Sequence, residues 1–294
     1  MVRRLLRTQN EHGPEFDLMR SRWIPSFVLL TTLLLCASPA ALRAEHDGKL
    51  QILLLGDSTT EASIPKRHLP QGPHFEEMIR LLLAAEKDLP PTNVINLGLS
   101  GEYIERLMTS GRYDRSVAKL PGIDYVFIRY GLNDRSKRED FANNFPKDFH
   151  GLLARLRKDF PDAVLIPTTV IPYSVSGSQE SINALVRKVA EDEKLPLFDL
   201  YPRYLAELEK GPNMLNYRRF PLDKIPEKHR DWVKPFTFGN PPMVEVLDNR
   251  LDAHFGDLPG WYGDRHPNSA GYHVIADETA KFLVKLIRER RKES

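Results

Sequence analysis

Five short, near-continuously apolar runs constrain this chain most: Ile52–Leu55, Val94–Leu97, Tyr125–Ile128, Val164–Ile166 and Leu197–Leu200. Runs of four or so residues without regular polar alternation read as strands buried on both faces. They stand too far apart for hairpins, and the intervals carry a different period. Phe75, Met78, Ile79, Leu82 and Leu83 repeat at the spacing of one helix face. Further helices are expected around 102–108, 145–159, 179–193 and 270–290, the last with Val274, Ile275, Phe282, Leu283, Leu286 and Ile287 on one side. Strands alternating with amphipathic helices imply an α/β fold: a mostly parallel, five-stranded sheet with helices on both faces.

One stretch, about 204–262, breaks the rhythm with poor periodicity and many prolines and aromatics. Structureless segments of that length are uncommon in compact domains and often functional. The expectation is an irregular insertion over one edge of the sheet, either lining a substrate groove or packing peripherally. Its Tyr217, Phe220, Trp232, Phe236, Phe238, Trp261 and Tyr262 suit sugar stacking or a core.

The first 44 residues read differently from the rest. Arg20 and Arg22 precede a mostly apolar stretch, Trp23 to Cys36, followed by Ala37-Ser-Pro-Ala-Ala-Leu-Arg-Ala44. A basic start, a short apolar middle and a small residue before polar sequence describe a secretory signal peptide. Residues 1–44 are therefore read as a signal peptide with an N-terminal overhang, initiated at Met19 and cleaved after Ala44; an uncleaved anchor is the alternative. The expected location is secreted or periplasmic, with no stable membrane association after cleavage. Residues 45–294 are left as one domain, long enough for a sizeable core.

Removing the leader changes the charge argument. It holds six arginines against three acids, so the whole-chain net charge of +2 becomes −1 without it. Nucleic acid is then not an expected partner. The one cysteine, Cys36, also lies in the leader, which leaves the domain without disulfides, thiol catalysis or Cys-based metal sites.

In an open α/β sheet, ligands sit beyond the carboxyl ends of the strands. The first strand is followed by Gly56-Asp57-Ser58, the second by a segment ending at Gly101, and the third by Gly131-Leu-Asn133-Asp134. Gly263-Asp-Arg-His-Pro-Asn268 precedes the terminal helix. Ser58 is a candidate nucleophile that needs a base. His266 has a nearby acid, Asp264, to hold its far nitrogen. The backbone N–H groups of Ser58 and Gly101 and the Asn133 amide would supply three oxyanion donors. Each feature also has a plainer reading: a glycine turn, a helix cap at Asp134, a helix boundary at His266-Pro267. His254 and His273 are competing bases without the same turn-and-acid setting.

Together, Gly56-Asp57-Ser58, Asn96-Leu-Gly-Leu-Ser-Gly101, Gly131-Leu-Asn133-Asp134 and His266-Pro-Asn268 resemble the four blocks of the SGNH (GDSL-type) hydrolases. The resemblance spans nearly all of residues 45–294. It implies a flavodoxin-like, three-layer α/β/α fold and a serine esterase with no metal and no cofactor. Ser58 would be nucleophile and oxyanion donor, Gly101 and Asn133 would complete the oxyanion hole, and His266 would be the base. The GDSTT start and the third block look similar to the carbohydrate acetylesterase branch, implying a small-acyl ester of a carbohydrate as substrate. An acyltransferase with the same residues and an inactive carbohydrate-binding domain are the alternatives. One departure stands out. The family usually places its aspartate three residues before the histidine, where this chain has Gly263. Asp264, a backbone carbonyl or Asp257 would then orient His266.

Overall fold

The computed structural model describes residues 48–173, 178–211 and 213–293, so the expected leader lies outside the described residues. The chain enters through β1 (Leu50–Gly56), then α1 (Ser58–Glu61), α2 (Ser63–His68) and α3 (Phe75–Ala84). Next come β2 (Thr92–Asn96), α4 (Ile104–Thr109), β3 (Tyr125–Arg129), α5 (Leu132–Lys137), α6 (Phe141–Asp159), β4 (Val164–Pro167) and α7 (Ser178–Asp192). The second half holds α8 (Tyr201–Lys210), β5 (Arg218–Pro221), α9 (Glu227–Val233), β6 (Thr237–Phe238), β7 (Met243–Val246), α10 (Asp252–Phe255) and α11 (Ser269–Glu293).

Among the described residues, the main sheet has four strands in the order β2-β1-β3-β4, all parallel. β1 sits inside it and sends alternate side chains to opposite faces. Ile52 and Leu54 pack with Phe75, Met78, Ile79 and Leu83 of α3 and with Ile275, Leu283 and Ile287 of α11. Leu53 and Leu55 pack on the other side with Leu107 of α4, Phe149, Leu152 and Leu156 of α6 and Val186 of α7. Each such side chain contributes about 2 kcal/mol by leaving water, and this two-sided burial is why β1 lacks polar alternation. The expected three layers are present. Leu82 of α3, expected on the buried stripe, is instead exposed at its rim.

Two expectations need correction. The fifth strand, expected at 197–200, is reduced to one parallel bridge between Thr168 and Phe198. Phe198 donates to the Pro167 carbonyl (3.0 Å) and accepts from the Thr169 N–H (3.1 Å). Pro196 has no N–H to extend the ladder backwards, and α8 begins at Tyr201, so no length remains for a strand.

The 204–262 segment is not irregular. It completes α8 and forms an antiparallel sheet, β5-β7-β6, over a satellite core of Phe220, Val233, Val244, Val246, Phe255 and Trp261. Its strands are two to four residues long, too short for a legible period of two.

Candidate active site

The turn after β1 is built to hold one conformation. A Cβ on Gly56 would lie 2.1 Å from Thr60 Oγ1 and 2.8 Å from the Arg129 carbonyl, so only glycine lets the strand end so close to β3. Asp57 then caps α1, its Oδ1 accepting from the N–H (2.9 Å) and hydroxyl (2.8 Å) of Thr59. Burial pushes the Asp57 carboxyl up, against the lowering effect of Thr59 and Arg129. The buried Arg129 guanidinium donates to the Thr59 carbonyl. Ser58, the first residue of α1, is thereby fixed at the carboxyl end of β1.

Facing it, the Ser58 Oγ lies 2.8 Å from His266 Nε2. On the far side of the ring, Nδ1 lies 2.7 Å from Asp264 Oδ1, which also accepts the His266 N–H at 3.1 Å. An ionised carboxylate only accepts, so Nδ1 carries the ring proton and the Nε2 lone pair points at the serine. Burial alone would raise the Asp264 carboxyl; hydrogen bonds from His266 and Tyr217 and the nearby imidazole reverse this and hold it below the usual range. The histidine's position comes from the entry to α11. Asn268 accepts from the Gly271 N–H (3.0 Å) and donates to the Met214 carbonyl (2.8 Å), tying the loop to the chain before β5.

In the loop after β2, Gly101 has φ +74°, a left-handed conformation that favours glycine. Asn133, the second residue of α5, uses one amide hydrogen on the carbonyl of the next residue, Glu102 (3.0 Å). The buried Glu102 carboxylate is in turn held by Arg112 (2.6 Å) and Tyr130 (2.7 Å). Asp134 is the third residue of α5, not its N-cap; its two oxygens accept the N–H groups of Ile104 and of Gly131, the residue before the helix, both at 2.9 Å. These bonds join the loop after β2 to the loop after β3. Ser58, His266 and Asp264 thus form one continuous hydrogen-bonded chain, and Gly101 and Asn133 are linked through Glu102. Of the competing histidines, His254 packs edge-on against Trp232, and His273 lies beside Met78 and Leu81 on the α3–α11 face.

A family model, the GDSL-like lipase/acylhydrolase family, matches residues 54–274. The chain belongs to that family of ester hydrolases. Among curated proteins, none matches the sequence. Solved structures similar to this acylhydrolase include a GDSL-like lipase candidate from Parabacteroides merdae, 14% identical with TM-score 0.53 over 80% of this chain and 95% of that one. Another is LAE5, an α/β hydrolase from the metagenome of Lake Arreo, 20% identical with TM-score 0.50 over 79% and 94%. Axe2, an acetylxylan esterase from Geobacillus stearothermophilus, is 16% identical with TM-score 0.50 over 80% and 95%. At these identities the likeness is one of fold.

Two side chains that the sequence did not mark for this role meet the Ser58–His266–Asp264 chain. Tyr217 donates its hydroxyl to Asp264 Oδ2 (3.0 Å). Tyr173 brings its hydroxyl to 2.9 Å from His266 Nδ1, its ring edge-on to the imidazole. Tyr217 belongs to the aromatics considered for sugar stacking, but it is buried, as are Phe220 and Trp261; Trp232 is the exposed one. Ser58, Ser63, Ser100, Tyr217, Arg219 and His266 line a cleft of about 50 Å³. Among the described residues, no three His, Cys, Asp or Glu side chains converge as a metal site.

Proposed function

We propose that this acylhydrolase is a serine-dependent esterase that removes a small acyl group, acetyl, from a carbohydrate outside the cytoplasm. The observation that carries the reading is the 2.8 Å and 2.7 Å relay from Ser58 through His266 to Asp264. Ser58 Oγ attacks the ester carbonyl while His266 Nε2 takes its proton. The carbonyl oxygen becomes an oxyanion facing the N–H groups of Ser58 and Gly101 and the Asn133 amide. The C–O bond to the alcohol breaks, the imidazolium returns its proton to the leaving alkoxide, and the acyl group stays on Ser58. Water then attacks with the same base, releasing the acid and free serine.

The small acyl group is supported by the narrow cleft beside Ser58, about 50 Å³. The carbohydrate is supported by the leader-like N-terminus and by the fold likeness to an acetylxylan esterase. Turnover of p-nitrophenyl acetate, butyrate and octanoate is expected to fall in that order and to vanish in Ser58→Ala. Acetate release from acetylated polysaccharides then identifies the sugar. Wild-type turnover in purified Ser58→Ala overturns the mechanism, and a preference for octanoate overturns the small acyl group. N-terminal sequencing of exported protein is expected to begin at Glu45; a chain retaining residues 19–44 contradicts cleavage.

A further inference from the structure

We infer that Tyr217 is a positioning residue that holds Asp264 in the orientation from which it aligns His266. The inference rests on the Ser58–His266–Asp264 reading and concerns the unusual two-residue spacing between acid and histidine. In so tight a turn, Asp264 Oδ1 accepts both the His266 backbone N–H (3.1 Å) and Nδ1 (2.7 Å). The loop therefore engages a single carboxylate oxygen, and rotation about the Cβ–Cγ bond is resisted from within the loop only there. The second oxygen, Oδ2, receives its hydrogen bond from Tyr217, more than forty residues earlier in the chain (3.0 Å).

Tyr217 is itself immobilised by the segment it serves. Its backbone N–H donates to the His266 carbonyl at 3.2 Å. Asn216 forms an antiparallel bridge with Pro267. The Asn268 N–H donates to the Leu215 carbonyl at 2.8 Å, and its side chain to Met214. The Tyr217 ring is 1% exposed and tilted 31° to the imidazole at 5.7 Å. A rigid donor thus meets the one oxygen the short loop leaves over. With both oxygens engaged, the carboxylate is pinned where an imidazolium forms.

A tyrosine acting through Asp264 has a signature that a merely structural one lacks: its effect disappears when Asp264 is gone. Wild type, Tyr217→Phe, Asp264→Ala and the double variant are compared on p-nitrophenyl acetate, with near-UV circular dichroism and thermal unfolding to establish that each is folded. Tyr217→Phe is expected to lower kcat about tenfold, the scale of one hydrogen bond to a charged group, with KM within twofold. The double variant is expected to match Asp264→Ala within twofold. In parallel, the His266 Nδ1 proton resonance, read by nitrogen-edited NMR without turnover, is expected to shift in Tyr217→Phe. An unchanged kcat, an equal loss in both backgrounds, or an unmoved resonance overturns the inference. Turnover surviving in Ser58→Ala would instead overturn the reading beneath it.

Discussion

Gly98 lies just beyond β2, in a segment tied to β1 by the Leu97 N–H on the Leu54 carbonyl (2.9 Å) and the Leu99 N–H on the Gly56 carbonyl (3.0 Å). On its other side runs α1, held by Asn96 Nδ2 on the Thr60 carbonyl (2.8 Å). A methyl on Gly98 would lie 2.3 Å from the Glu61 nitrogen and 2.7 Å from the Thr60 carbonyl carbon. Unstrained carbon contacts lie near about 3.5 Å, so Gly98→Ala forces backbone apart by about 1 Å. Both neighbours are backbone, and the movable one is the short helix that carries Ser58. A displacement of that size is expected to cost about 10²-fold in kcat by breaking the Ser58–His266 alignment. Overpacking of this kind costs about 2 kcal/mol, or roughly 4–8 °C in Tm for a domain of this size. Initial rates on p-nitrophenyl acetate and a circular-dichroism melt measure both. A folded Gly98→Ala enzyme with wild-type kcat and Tm would refute the claim that this contact sets the position of Ser58.

Three further outcomes are expected. Asn133→Ala should lower kcat by about 10²–10³ with KM changed only a few-fold, as for loss of one oxyanion donor; an intact kcat removes Asn133 from that role. Burial pushes Asp134 up to about 7, even though it accepts two backbone N–H groups. The folded carboxyl holds its proton more tightly than the unfolded one, so this group withdraws stability as pH climbs from about 4 to about 7. Urea unfolding should therefore show the stability of Asp134→Asn relative to wild type improving across that window, and a constant difference contradicts the assignment. Finally, the buried Glu245 carboxylate serves Arg67, His68 (3.2 Å) and Arg219 (3.4 Å), pinning the small antiparallel sheet to α2. Glu245→Gln should cost about 1–2 kcal/mol, modest because both arginines are half exposed. The Tm deficit should narrow in high salt, which screens the two unbalanced guanidiniums; a salt-independent deficit counts against this account.

Much of the sheet was legible because burial on both faces imposes a continuous apolar run, as in Ile52–Leu55. The long helices were legible for the corresponding reason, a stripe repeating every three to four residues. Leu197–Leu200 misled because its apolar content reflects burial at the sheet edge, while Pro196 and the start of α8 decide that only Phe198 can pair. The β5-β7-β6 sheet leaves no mark in the sequence because its pairings are long-range and its strands shorter than one readable period. At the site, Ser58 and His266 could be singled out since each stands in a turn at the end of a strand or start of a helix. Asp264 was harder, its spacing being one residue short, yet the loop closes with Oδ1 on Nδ1. Tyr173 and Tyr217 had no such marker. A tyrosine that meets a carboxylate through tertiary packing has no fixed spacing from it; the Asn216–Pro267 bridge and the long-range backbone bonds beside it bring Tyr217 there.

The claim on which the rest depends is that the Ser58 hydroxyl, activated by His266, is the attacking group. Covalent labelling with a fluorophosphonate, followed by intact-mass measurement and peptide mapping, tests it most directly. One adduct per chain is expected, on the peptide containing Ser58, absent from Ser58→Ala and formed far more slowly in His266→Ala. An adduct on another residue, or labelling of Ser58→Ala at the wild-type rate, would contradict it.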